Sequence, residues 1–155
     1  METESFSIAT TQKRMVSFMI DDFVVALLLF SIFYTPLMEM VSHLPVIMKI
    51  EDLEKFKQEI NHFASVNLPF ILLLKILYHT FFVWQNGTTL GKYIMKIKVV
   101  ELDTANTPSL QKSLLRAIVR IFSEVLFYVG FMLAFFLPLK QTLHDKLSSC
   151  VVVDA

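Results

Sequence analysis

Two long apolar runs limit what this chain can become. Residues 15–38, beginning MVSFMIDDFVVALLLF, and residues 68–85, LPFILLLKILYHTFFVWQ, each reach the length that crosses a bilayer, roughly 20 residues. With 55% hydrophobic residues, 15 Phe and only 3 Gly in 155 residues, the chain reads as an all-α membrane protein, one domain over 1–155. Lys13 and Arg14 precede the first run as they would in a signal peptide. No small-x-small cleavage site follows, so a spanning helix is expected there.

Residues 1–12 are polar and are expected to be loose or interfacial. In the second run Asn67 can cap, Pro69 fits a first helical turn, and Trp84 stands at the far end where an interfacial aromatic belongs. Between the runs, over about 51–66, Leu53, Phe56, Ile60 and Phe63 recur at helical spacing among charges. That pattern predicts an amphipathic helix on the outward surface, its apolar stripe either packing on the bundle or meeting a partner.

Orientation follows from the basic residues. The 39–67 connection carries three Lys against five acids, whereas 86–116 carries Lys92, Lys96, Lys98, Lys112 and Arg116 against Glu101 and Asp103. With Lys13 and Arg14, this puts the N-terminus and 86–116 in the cytoplasm. IKVVEL (97–102) and CVVVDA (150–155) have strand character and predict a minor cytoplasmic two-stranded β pairing. If they pair, both ends of the intervening segment lie on one side of the membrane. Lys112, Arg116, Arg120 and Glu124 form one polar stripe at four-residue spacing. A membrane-embedded hairpin over about 109–139, turning near Gly130, is therefore favoured over a single crossing.

Asp21 and Asp22 lie inside the first run, where a charge costs roughly 2.5–3.5 kcal/mol on insertion scales. They need partners. Arg14 is seven residues before Asp21, on the same helix face. His79 stands at matching depth on the second run, with Lys75 one turn deeper on the same face, and Arg116 and Arg120 compete from the third segment. Such groups either line a proton or cation pathway or clamp helices as buried ion pairs.

Four segments resemble the RDD family of small polytopic membrane proteins, and in family order. They are RMVSFMID (14–21), NGTTLGKYIMKIKVV (86–100), LLRAIVR (114–120) and QTLHDKLSSCVVV (141–153). The resemblance carries the family's named residues onto Arg14, Asp21 and Asp145. Asp22 is an extra acid; Lys96 and Cys150 replace the usual small residue and threonine. It implies a multi-pass protein of the bacterial inner membrane and suggests transport, cation/proton exchange having been attributed to some members.

Other signals carry less. In GTTLGK, Gly87 and Gly91 are one residue too close for a P-loop and Tyr93 stands where Ser or Thr should hold magnesium. The segment is expected to form a tight turn with Lys92 at headgroup level. The sequon at Asn86 falls on the cytoplasmic side. His43, His62, His79 and His144 share no metal-ligand spacing, and one cysteine, Cys150, excludes an internal disulfide. His144–Asp145 has no nucleophile beside it; Asp145 is expected to cap or salt-bridge the terminal segment to the Arg stripe. No metal, cofactor or enzymatic activity is expected, and zero net charge gives no field for nucleic acid. The partners are the lipid bilayer and either further copies of the chain or a larger membrane complex. Transport of a proton, small cation or small solute by intramembrane carboxylates is the first reading. A non-transporting accessory or assembly subunit is the alternative.

Overall fold

The computed structural model describes residues 7–45, 49–125 and 135–155. Helix α1 (Thr11–Ile32) starts where extended Thr10 accepts from the Lys13 N–H at 3.3 Å. It stops at Ile32 because Pro36 lacks the N–H that would bond the Ile32 carbonyl. The chain resumes as α2 (Tyr34–Ser42), with Pro36 tolerated in the first turn. The run expected as one helix over 15–38 is thus two.

The next element also departs from expectation. The amphipathic helix read over 51–66 and the spanning helix read over 68–85 are one continuous α3 (Ile50–Asn86). Asn67 does not cap. Its amide donates to the Phe63 carbonyl at 2.8 Å within the helix. Pro69 forfeits only its own N–H bond, and Phe63 and Phe70 on either side pack edge-on against Phe33, at 5.2 and 5.7 Å between centroids. These contacts hold the axis through the proline.

Helix α3 ends on Gly87, whose φ of 69° places it in the left-handed region, its N–H bonded to the Val83 carbonyl at 2.9 Å. Helix α4 (Leu90–Ile94) and strand β1 (Ile97–Glu101) follow, then α5 (Leu110–Val125), α6 (Leu143–Leu147) and strand β2 (Cys150–Asp154). The strands pair antiparallel, from Ile97 opposite Asp154 to Glu101 opposite Cys150. Residues 7–9, expected to be loose, lie along the other edge of β2. Ala9 N–H reaches the Val152 carbonyl at 3.1 Å, and Asp154 N–H the Ser7 carbonyl at 2.9 Å. One face of the sheet closes a core of Ala9, Val83, Ile97, Val99, Cys150 and Val152.

Burial is inverted relative to a water-soluble fold. Helix α1 buries Ser17 and Asp21 and exposes Met15, Met19, Phe23 and Phe30. Helix α5 buries Ser113, Arg116, Arg120 and Ser123 and exposes Leu110, Leu114, Leu115 and Phe122, the last by 63%. A helix facing water turns its polar side outward. Lipid is the solvent that suits the observed arrangement, and α1 and α3 are long and apolar enough to cross a membrane. The segment between the strands leaves and returns at the sheet: Ser109 N–H donates to the Glu101 carboxylate at 3.0 Å, and the Gln141 amide donates to the Cys150 carbonyl at 2.7 Å. The turn expected near Gly130 lies outside the described residues.

Candidate functional site

The buried charges form one layer between α1, the C-terminal half of α3, α4, α5 and α6, organised around three acidic centres.

The first is Asp21, fully buried. Its Oδ1 accepts from the Gly91 N–H at 2.8 Å and the Tyr78 hydroxyl at 3.0 Å, and its Oδ2 from the Thr89 hydroxyl at 2.5 Å. Lys92 Nζ stands 3.6 Å away and donates to Thr89 Oγ1 at 3.2 Å. Gly91 makes this possible because α4 lies directly on α1. A Cβ there would fall 2.1 Å from the Ser17 carbonyl oxygen and 2.9 Å from Asp21 Cγ. Lys92, expected at headgroup level, is buried instead. Burial lowers its pKa to about 8, Asp21 opposing the shift.

The second is Asp145, also buried, on α6. Its Oδ1 accepts two bonds from Arg116, the Nε one at 2.9 Å. Its Oδ2 accepts from Arg14 at 3.2 Å, and from the Thr142 hydroxyl at 2.8 Å and N–H at 3.2 Å. Asp145 therefore both caps α6 and ties it to α1 and α5. Burial, the largest single influence, would push this carboxyl up, but Arg116, Arg14 and the Thr142 hydroxyl bond, with the neighbouring His144, together outweigh it and hold it well below the usual carboxylate range. Burial keeps His144 neutral at pH 7, despite the nearby Asp145. Arg14, which shares a helix face with Asp21, turns toward Asp145, Lys140 and Val152; its NH2 donates to the Val152 carbonyl at 2.9 Å.

The third centre is the pair Asp22 and Glu124. Glu124 holds the close bonds, to Lys75 at 2.6 Å and to Arg120 Nε at 3.1 Å. Asp22 has only the looser contacts with the same two cations, 3.6 Å to Lys75 and 3.5 Å to Arg120, and its side chain is 28% exposed. Arg120 lies 4.4 Å from the Phe18 ring centre and approaches His79 Nδ1 at 3.3 Å. Arginine can only donate, so Nδ1 is the acceptor and the His79 ring is neutral.

Thus Arg14, Arg116 and Asp145 come together, as do Asp22, Lys75, His79 and Arg120, while Asp21 is held apart from both sets. Tyr78, Thr89, Gly91, Lys92 and Glu124 complete the layer without having been singled out as partners. Glu124 carried a signal in its place on the Arg stripe, and Thr89, Gly91 and Lys92 in the family-like segment 86–100; Tyr78 carried none. Of the apolar stripe, Leu53 and Ile60 are exposed, Phe56 is half-buried, and Phe63 is half-buried against Phe33. Beside the layer lies a cavity of about 310 Å³, with Arg14, Lys92, Arg116, Arg120 and Asp145 on its wall.

The model of the RDD family matches residues 8–149. The chain is also 33% identical, over 76 residues, to the "Uncharacterized protein RP437" of Rickettsia prowazekii (strain Madrid E). That match covers 49% of this chain and only 42% of the relative's length. No solved structure matches.

Proposed function

Because the chain belongs to the RDD family, we propose that it is a multi-pass protein of a bacterial inner membrane that moves a proton, small cation or small solute through its ion-pair layer. In this reading α1 and α3 cross, α5 enters from the cytoplasmic face and returns, and both described ends of the chain lie in the cytoplasm. One observation carries the mechanism. Asp22 is the partly exposed carboxylate, loosely held by Lys75 and Arg120 while both serve Glu124 at shorter range. A proton or cation can exchange at Asp22 without dismantling the layer, because Glu124 keeps the two cations in place. Asp21 and Asp145, each accepting several hydrogen bonds, are assigned to holding the helices. The two described helices long and apolar enough to cross are too few to enclose a path by themselves, so in this reading the transporting form is a homo-oligomer.

Ion flux in proteoliposomes tests this. Asp22→Asn is expected to abolish flux in a protein that still folds; full flux in that variant refutes the mechanism. The accessory-subunit reading draws support from the saturated Asp21 and Asp145 centres and the exposed Leu53 and Ile60. Recovery of a stoichiometric larger partner in gentle detergent, with no flux from the chain alone, would favour it.

A further inference from the structure

The charged layer does not balance. Among the described residues, Arg14, Lys75, Lys92, Arg116 and Arg120 face Asp21, Asp22, Glu124 and Asp145, one more cation than carboxylate, and the two histidines beside them are neutral. An uncompensated charge in a water-poor interior is costly, and the usual remedy is an opposite charge. The surplus is not spread evenly. Four of the five cations, all but Lys75, line the 310 Å³ cavity, against one carboxylate among the described residues, Asp145. That carboxylate is already consumed by Arg116, Arg14 and Thr142. The buried Arg14 Nε–H has no acceptor among the described residues.

The rest of the cavity wall is of the opposite character. Met15, Phe18, Met19 and Phe135 line it, and Met15 and Met19 stand 59% and 64% exposed on the flank of α1 that faces lipid. One end of the space thus suits a single negative charge, and the other suits hydrocarbon. We infer that this cavity binds the anionic phosphate headgroup of a membrane lipid, with the acyl chains leaving along Met15 and Met19 of α1. A phosphodiester carries one negative charge and would neutralise the layer. Arginine and lysine at the floor recognise phosphate oxygens by charge-assisted hydrogen bonds. The inference does not depend on transport, since the lipid would be bound whether or not an ion moves.

The test spares the clamp. Thr11 lines the cavity at the first position of α1, where a carboxylate favours the helix. Thr11→Glu therefore folds while placing a negative charge at the site, and Thr11→Gln controls for size. Native mass spectrometry of the full chain is titrated with phosphatidylglycerol, with phosphatidylcholine, and with inorganic phosphate as competitor. The expected result is one phosphatidylglycerol per chain, preferred over phosphatidylcholine. The preference should fall on the order of tenfold in Thr11→Glu and persist in Thr11→Gln. No preference in the unaltered chain, or one that survives Thr11→Glu or is lost equally in Thr11→Gln, overturns the assignment. Displacement of the lipid by millimolar phosphate would show a free-anion site and overturn the lipid.

Discussion

Replacing Asp145 by asparagine keeps the shape of the side chain and removes its charge. Arg116 then loses both of its charge-assisted bonds, and Arg14 loses its 3.2 Å contact. Two buried guanidinium groups are left without a counter-charge, and asparagine can replace only part of the Thr142 cap. Removing one partner of a buried ion pair costs about 3–5 kcal/mol, and the second arginine puts this site at the upper end of that range. Equilibrium unfolding of the full chain in mixed detergent micelles measures it. Asp145→Asn with Arg116→Met is expected to regain part of the loss, because the stranded charge goes with the arginine. A loss below about 1 kcal/mol, the size of an exposed pair, or no recovery in the double variant, would refute the reasoning.

Other consequences are as direct. Gly91→Ala drives a Cβ into the Ser17 backbone, so α4 must shift off α1; a loss of about 1–3 kcal/mol or more is expected in the same unfolding assay. Asp145 has a lowered pKa in the folded chain, so its contribution is present above the ordinary carboxylate range and is lost as pH falls from that range through the lowered folded value. Stability should drop below about pH 4, with a shallower drop in Asp145→Asn. Lys92, lowered to about 8 from its ordinary 10.5, binds more proton when unfolded. Stability should rise between those two values, and Lys92→Met should abolish that rise. Reporter fusions at residue 155 should place the C-terminus on the same side as the N-terminus, because residues 7–9 and β1 both pair with β2.

What could be read from the sequence was what local pattern encodes. Apolar run length announced helices long and apolar enough to cross a membrane, and the β-branched runs at 97–102 and 150–155 announced the strand pair. The family-like segments gave the RDD assignment across most of the chain. What was missed depended on distance or on compensation. Arg14 meets Asp145 across 131 residues of chain, and no periodicity encodes that choice over Asp21, which lies on the same helix face. Lys92 looked interfacial because five-residue α4 is too short to show a buried face. That face exists only because Gly91 lets α4 touch α1. The break read at Asn67–Pro69 does not occur, because Asn67 bonds within the helix and Phe33 grips both sides of Pro69.

A lipid setting for the ion-pair layer requires α5 to turn its arginines inward and its leucines and Phe122 toward lipid. Tryptophan quenching by brominated lipids reads this directly in a Trp84→Phe background, where one introduced tryptophan reports alone. Phe122→Trp is expected to be strongly quenched, whereas Ile121→Trp, at a position only 9% exposed, stays bright. Quenching of the reverse order, or none at either position, would mean that α5 does not lie in the bilayer with its charged face sheltered.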